Sequence, residues 1–331
     1  MTNTILGKPV IKVHSGVFNP KSGFGKKGLC DGLTFTAGTA CAYNCQYCYV
    51  QAIVGRRQYV KDALRGTGLQ LREVVIRRLN PVARLELALG NRFRGKKWQG
   101  KVVYASPLVD VAATVALAAE TVELVKTVIE QTDLDIRLLS KSPLLESHVA
   151  GALAADKEFC QRARQRVIFG LSTGTLDEGV ARVIEPNVPA VRKRLAALEK
   201  LQNHGWRTFA MLCPVLPQDA EAYAMQAKSL ICFERCENVW AEVLNPRGDS
   251  MQLTLAALDR AGLTEWADSL REVSTPGANG AWEEYARQVF KALVAVVPKR
   301  HKEPRLKFLQ YTRRATEDWW RTQTANGAVL L

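Results

Sequence analysis

Six short apolar segments recur along the chain, at Leu33–Ala37, Val102–Ala105, Ile136–Ser140, Val167–Ser172, Thr208–Pro214 and Val239–Leu244. Each is rich in Val, Ile, Leu or Phe, the composition of a strand buried on both faces. Between them run helix-like stretches: Leu69 to Leu89, Val115 to Gln131, Leu144 to Ala155, Ala190 to His204 and Ala220 to Phe233. In the fourth of these, Val191, Leu195, Leu198 and Leu201 recur at three- and four-residue steps with Lys and Arg between them. That spacing makes an amphipathic helix that covers one face of a sheet. Repeated strand–helix units predict an α/β chain on a parallel sheet with right-handed crossovers, either doubly wound or curled into a partial barrel. Active sites in such folds lie at the carboxyl ends of the strands, so polar residues there are the candidates.

A chain of 331 residues holds one large barrel or two ordinary domains, and 47% apolar residues can fill a full core. The expected organisation is a basic segment over residues 1–29, a core over 30–248 and a helical extension over 249–331. The extension reads as helices from Leu253 to Ala261, Leu263 to Glu272 and Trp282 to Val297, broken by the run STPGANG. The amino terminus lacks a long apolar stretch and no run is long enough to cross a bilayer, so the expectation is a cytoplasmic protein with no membrane contact. In a reducing cytosol, eight cysteines point to metal ligands and core thiols rather than disulfides.

Three of them, Cys41, Cys45 and Cys48, stand at C-x3-C-x2-C spacing just beyond the first strand, in TFTAGTACAYNCQYCYV. Tyr47 precedes the third, and Tyr43 and Tyr49 add ring surface that shields a metal group from water. Four thiolates close the shell of a cubane or a structural zinc; three leave an open, reactive position. Zinc is the alternative, although it usually takes pairs of ligands separated by a longer arm, and the nearest histidine, His14, is well upstream.

The cysteine pattern resembles the signature of radical S-adenosylmethionine (SAM) enzymes. The resemblance implies a [4Fe–4S] cluster held by three cysteines, SAM chelated to the fourth iron, and one-electron cleavage of SAM to a 5′-deoxyadenosyl radical. It also implies a partial (β/α)6 TIM-like barrel with the cluster loop after the first strand, and an external electron donor of the flavodoxin or ferredoxin type. Further landmarks, over residues 30–245, resemble the spore photoproduct lyase-like branch. The third strand ends LLSKS, close to that branch's TKS, which puts Lys141 against the SAM carboxylate. The run GLSTGTLDEGVARVIEPNVPAVRKRL resembles the branch's STLD, EP-x2-P and RL elements. By that likeness Ser172 and Thr173 sit beside SAM, while Glu185 and Arg194 serve its ribose and amino-acid ends or brace the barrel. MLCPVLP resembles the strand expected near the adenine. The second strand departs from the branch: it ends Tyr104-Ala105-Ser106-Pro107 with Asp110 beyond, and Ser106 is the candidate contact to the SAM amine. The branch's hydrogen-donating cysteine has no counterpart at its usual place, since the next cysteine after Cys48 is Cys160.

Cys213, at a strand end, is either a hydrogen donor to a product radical or an inert core thiol. Cys232 and Cys236, four apart, would share a helical face and either pair in the core or join Cys213 around an auxiliary cluster. Asn245 and Arg247, in a Pro-Gly turn, read as ligands for a carboxylate or phosphate, or as a structural turn. The net charge is +14, and basic residues concentrate at Lys8–Lys27, Arg72–Lys101 and Lys299–Arg321, interleaved with Phe93, Trp98, Phe308, Tyr311, Trp319 and Trp320. Cations and rings in this mixture suit nucleic acid, or belong to a basic protein whose rings lie in its core. The expected activity is thus a lyase or other SAM-dependent radical reaction on a nucleic acid or nucleotide. A radical SAM enzyme that modifies a peptide or a small molecule, or a non-catalytic zinc-stabilised nucleic-acid-binding protein, is the alternative.

Overall fold

The computed structural model describes residues 4–93, 98–245, 249–274 and 280–331. Its main feature is a nine-stranded sheet in which six strands stand side by side in chain order: Leu33–Phe35, Val102–Ala105, Asp135–Ser140, Val167–Ser172, Arg207–Val215 and Cys236–Val243. All five pairings among these six are parallel. A doubly wound sheet reverses its strand order at a switch point, and this sheet never does, so that alternative is excluded. Each strand hands over to the next in one direction, and every carboxyl end therefore opens on the same edge.

Helices Val115–Gln131, Lys157–Arg166, Val191–Asn203 and Ala220–Leu230 fill the crossovers. Val115–Gln131 begins where the Thr114 hydroxyl accepts the Leu117 N–H at 3.3 Å. It buries Val122, Leu124, Val125, Val128 and Ile129 on one face, each worth about 1.5–3 kcal/mol when taken fully from water. Leu144 to Ala155, expected as one helix, is a π-helical turn over Leu145–Ala150 running into an α-helix over Gly151–Ala155.

Two expectations fail here. The stretch from Leu69 to Leu89 is not one helix: Val75–Arg78 is a strand and the helix is Pro81–Phe93. Consecutive β-branched residues favour the strand, and Pro81 fits a first helical turn because its missing N–H would be unpaired there anyway. The carboxyl-terminal extension is not purely helical either. After helices Ser250–Arg260, Thr264–Ser274 and Ala281–Val296, strands Leu306–Gln310 and Ala328–Leu330 add to the same sheet, both in parallel. Phe308 stacks on Trp320 with centroids 5.7 Å apart, and both rings are fully buried. Those two rings, expected among the candidates for a nucleic-acid surface, are core.

A second, four-stranded sheet has the order Thr4–Ile5, Lys8–Val13, Val75–Arg78, Gly38–Ala40. With helices Val50–Val54 and Gln58–Leu64 it forms a small lobe around its own core of Val13, Ala40, Val50, Val54, Val60, Val74, Ile76 and Leu108. The cysteine loop leaves the Gly38–Ala40 strand, so it is anchored in this lobe and runs beside the large sheet. Among the described residues no helix is long and apolar enough to cross a membrane.

Candidate functional site

The loop carrying Cys41, Cys45 and Cys48 turns at Asn44, whose φ of 60° lies in the left-handed region that Asn tolerates better than most residues. The Cys48 N–H donates to the Cys45 carbonyl at 3.2 Å, closing the second half of the loop. Two bonds fasten it to the segment beyond the fourth large-sheet strand: Gln46 N–H to the Ile184 carbonyl at 2.9 Å, and Asn187 Nδ2 to the Ala42 carbonyl at 3.3 Å.

All three thiols are free. Burial, with help from the Asp110 charge, pushes the Cys41 thiol up to about 12. Burial and the nearby Glu185 carboxylate hold Cys45 well above its ordinary value. Cys48 is also raised by burial, against the pull of Arg72 and Lys141. Thiolates are therefore costly in this loop unless a cationic centre takes up their charge, which is what metal ligation does. Among the described residues no group of three or more His, Cys, Asp or Glu side chains is arranged to hold a metal ion. The donor set nevertheless fits an iron–sulfur group in kind: three thiols on one loop, each within electrostatic reach of another, screened by tyrosines and flanked by cations.

Five residues expected at the cofactor, drawn from separate parts of the chain, meet in one network. The Tyr47 hydroxyl donates to Glu185 Oε1. Lys141 Nζ lies 2.8 Å from the same oxygen and donates to Ser172 Oγ at 3.1 Å. Arg194 donates from Nη2 to Glu185 Oε2 at 2.6 Å and from Nη1 to the Ser172 carbonyl at 3.2 Å. Burial opposes ionisation of Glu185, but Lys141 and Arg194 outweigh it and hold the carboxyl below its ordinary value. An ionised carboxylate shared by two cations thus fixes Tyr47, and with it the cysteine loop, against the third and fourth strands of the large sheet.

Thr173 stands outside this network. Its hydroxyl donates to the Thr175 carbonyl at 2.7 Å and its N–H to the Met211 carbonyl at 2.9 Å, shaping the turn after the strand. The next residue must be Gly174, because a Cβ there would run into the Pro214 carbonyl. Ser106 ends its strand in a left-handed conformation, φ 48°, with its N–H on the Phe35 carbonyl at 2.6 Å.

The acidic group that reaches the cysteines from the second strand's end is Asp110, which sequence reasoning noted only as a departure. It accepts from Ser140 Oγ, the Lys141 N–H and the Ala112 N–H, each at 2.8 Å, while burial still pushes its carboxyl above the ordinary value. Lys8 was missed as well: its ammonium donates to the Arg72 carbonyl at 2.6 Å and lies within the field of all three cysteines.

Cys213 lies in strand Arg207–Val215, and burial together with the Glu242 charge holds its thiol well above the ordinary value against Lys27 and Lys141. Glu242 pairs with Lys27 at 3.3 Å, and burial raises its carboxyl although Lys27 and Asn245 oppose the shift. A lone acid in the apolar strand run VWAEVL was the available signal for Glu242. Asn245 therefore serves this pair, and Arg247 lies outside the described residues.

Cys232 and Cys236 do not share a helical face. Cys232 is exposed before a 3-10 turn, and Cys236 is the buried first residue of strand Cys236–Val243. Cys236 is in register with Thr208, which puts it roughly 15 Å down the sheet from Cys213. The three cannot share a cluster.

No family model matches the chain. Solved structures of spore photoproduct lyase share its fold. One variant aligns with a TM-score of 0.55 at 12% identity, covering 81% of this chain and 80% of that one. A second, with bound AdoMet and dinucleoside spore photoproduct, aligns at 0.51 and 12%, covering 81% and 79%. A likeness at this identity establishes architecture: a mixed α/β fold with a parallel sheet. The chain is also 24% identical over 253 residues to uncharacterized protein ORF301 of Acidianus two-tailed virus, covering 74% of this chain and 77% of that protein.

Proposed function

We propose that the chain is a radical SAM enzyme in which Cys41, Cys45 and Cys48 hold a [4Fe–4S] cluster and the large sheet curls as a partial barrel around the reaction space. The observation that carries this reading is the Glu185 network, which ties the cysteine loop through Tyr47 to Lys141 and Ser172 at two strand ends. When bound, the cluster and SAM supply one-electron cleavage of the sulfonium to a 5′-deoxyadenosyl radical. The chain's own residues bind, orient and insulate. Lys141 has three N–H donors, of which Glu185 and Ser172 take two, and the third is the donor for the SAM carboxylate. Ser106 and Thr173 contribute backbone and turn geometry beside SAM. Tyr43, which is buried, and the partly buried Tyr47 screen the loop from water, which strengthens electrostatic contacts inside it. Cys213, a half-buried thiol raised above its ordinary value and within the field of Lys141, Lys27 and Glu242, is the hydrogen donor to a product radical.

The substrate class we propose is nucleic acid or a nucleotide, supported by the +14 charge and by fold likeness to a lyase solved with dinucleoside spore photoproduct. A small electron-transfer protein supplies the electron, in the cytoplasm. The test is anaerobic reconstitution: about four irons per chain are expected, with release of 5′-deoxyadenosine on addition of SAM and dithionite. Cys45→Ala should abolish both. A wild-type chain that binds one zinc, takes up no iron and releases no 5′-deoxyadenosine would refute the reading.

A further inference from the structure

Lys8 is a half-buried cation without an acid. Strand Val75–Arg78 lies inside the small sheet, with Val75 opposite Val10 on one side and Ile76 opposite Ala40 on the other. Its amino end is therefore flanked by Lys8, two residues before Val10, and by Cys41, directly after Ala40. The Arg72 carbonyl holds the Lys8 ammonium there at 2.6 Å. That carbonyl belongs to the 3-10 turn Leu71–Glu73, which two bonds close: the Gln70 N–H donates to Glu73 Oε2 at 2.7 Å, and the Glu73 N–H to the Gln70 carbonyl at 2.9 Å. Glu73, the acid beside this end of the strand, is thus committed to its own turn. Among the described residues no carboxylate pairs with Lys8.

An ammonium partly removed from water and bonded to a carbonyl is costly unless negative charge lies near it. Burial lowers Lys8 from its ordinary value, and Cys41, Cys45 and Cys48 oppose that shift, so the charge it faces is that of the three thiols. Lys141 reaches the same loop from the large sheet, but Glu185 takes up its charge at 2.8 Å. Lys8 therefore stands as an uncompensated cation on the small-lobe side. The potential of an iron–sulfur group follows its net charge and surroundings, and a nearby cation favours the state holding one more electron.

We propose that Lys8 is the counter-charge of the cluster, a positioning residue whose ammonium, held by the Arg72 carbonyl, faces the cysteine loop and stabilises the reduced state. The inference rests on the cluster reading above. In the step concerned the cluster gains one electron from an external reductant, and Lys8 gains and loses no atom.

The test is a redox titration of the reconstituted holoprotein with dithionite, read by visible absorbance and electron paramagnetic resonance. Lys8→Gln should keep its iron and lower the midpoint potential, the reduced-to-oxidised ratio at a fixed potential falling about tenfold, or about 59 mV for one electron. Lys8→Arg, which keeps the charge, should stay close to wild type. Lys12→Gln removes an exposed cation four residues along the same strand, roughly 13 Å away, and should leave the potential where it is. An unmoved potential in Lys8→Gln overturns the assignment. So does an equal shift in Lys12→Gln, which would make the effect one of net charge alone. Loss of iron from both Lys8→Gln and Lys8→Arg overturns it too, since the lysine would then serve the fold of the lobe. A wild-type chain with no dithionite-reducible iron overturns the cluster reading and this proposal together, whereas reducible iron with no shift overturns this proposal alone.

Discussion

Arg194 Nη2 stands 2.6 Å from Glu185 Oε2, and each side chain is only about 1% exposed. Lys141 takes the other carboxylate oxygen at 2.8 Å, so a single buried acid is shared by two cations from different elements. Such an arrangement costs desolvation, and it repays that cost in position: Glu185 also receives the Tyr47 hydroxyl from inside the cysteine loop.

Removing one partner from this group should be expensive. Arg194→Leu leaves the carboxylate with Lys141 as its one cation, beside the Tyr47 hydroxyl, and strips the Ser172 carbonyl of a donor. We expect a loss of about 3 kcal/mol, the low end for a broken buried pair because one cation remains. Urea unfolding measures it, and iron uptake on reconstitution should fall in parallel. A variant as stable as wild type would show that the pair contributes nothing net.

The same group sets a pH dependence. Glu185 has a folded pKa below its ordinary 4.5, so its contribution is present above that value and is lost as pH falls through the folded one. Stability should decline below about pH 4.5, and Glu185→Gln should be weaker at pH 7 yet lose less on acidification. A slope identical to wild type in the Gln variant would assign the acid sensitivity elsewhere.

Asn44 holds the left-handed turn between Cys41 and Cys45. Asn44→Gly should reconstitute as well as wild type, since glycine adopts that conformation freely. Asn44→Val should cost about 1–2 kcal/mol and lower iron uptake, because a β-branched side chain is strained there. Equal iron content in the two variants would rule out a conformational demand at this turn.

In the tail, Phe308 packs under Trp320 and against Phe290, whose centroid is 5.4 Å away. Phe308→Ala should destabilise the chain by about 3–5 kcal/mol, the usual cost of emptying an aromatic site in a core. If the ring served a ligand instead, thermal unfolding would be unmoved.

Thiol labelling separates exposed from core cysteines. At neutral pH in the unreconstituted chain, iodoacetamide should reach exposed Cys232 first, while Cys236 and Cys213, both raised by burial, react slowly. Peptide mass spectrometry gives the order, and early modification of Cys236 would contradict its place in the strand.

Much of the candidate site is legible in short motifs: Lys141 and Ser172 at two strand ends, Glu185 and Arg194 in the EP-x2-P and RL elements beyond, and the fold draws Lys141, Ser172 and Arg194 around the Glu185 carboxylate with Tyr47. Asp110 and Lys8 were not nominated, because each comes from an element whose neighbours are set by long-range pairing: Lys8 by strand Lys8–Val13 joining Val75–Arg78, Asp110 by its bonds to Ser140 and Lys141. Their neighbours in sequence carry no hint of cysteines. The tail misled for a related reason: rings among cations look alike whether they face solvent or a core, and only the parallel pairing of Leu306–Gln310 with Cys236–Val243 turns Phe308 inward.

By itself, then, the order of residues determined the alternation of strands and helices, the three-thiol loop and the chemical types at the strand ends, since periodicity and ligand spacing are local properties. Tertiary structure alone decided that the sheet winds in one direction, that Val75–Arg78 leaves a predicted helix for a second sheet, and that Cys213 and Cys236 lie far apart. Those outcomes depend on which backbone edges find each other, and such pairing is won by burial summed over distant segments that no short window of sequence contains.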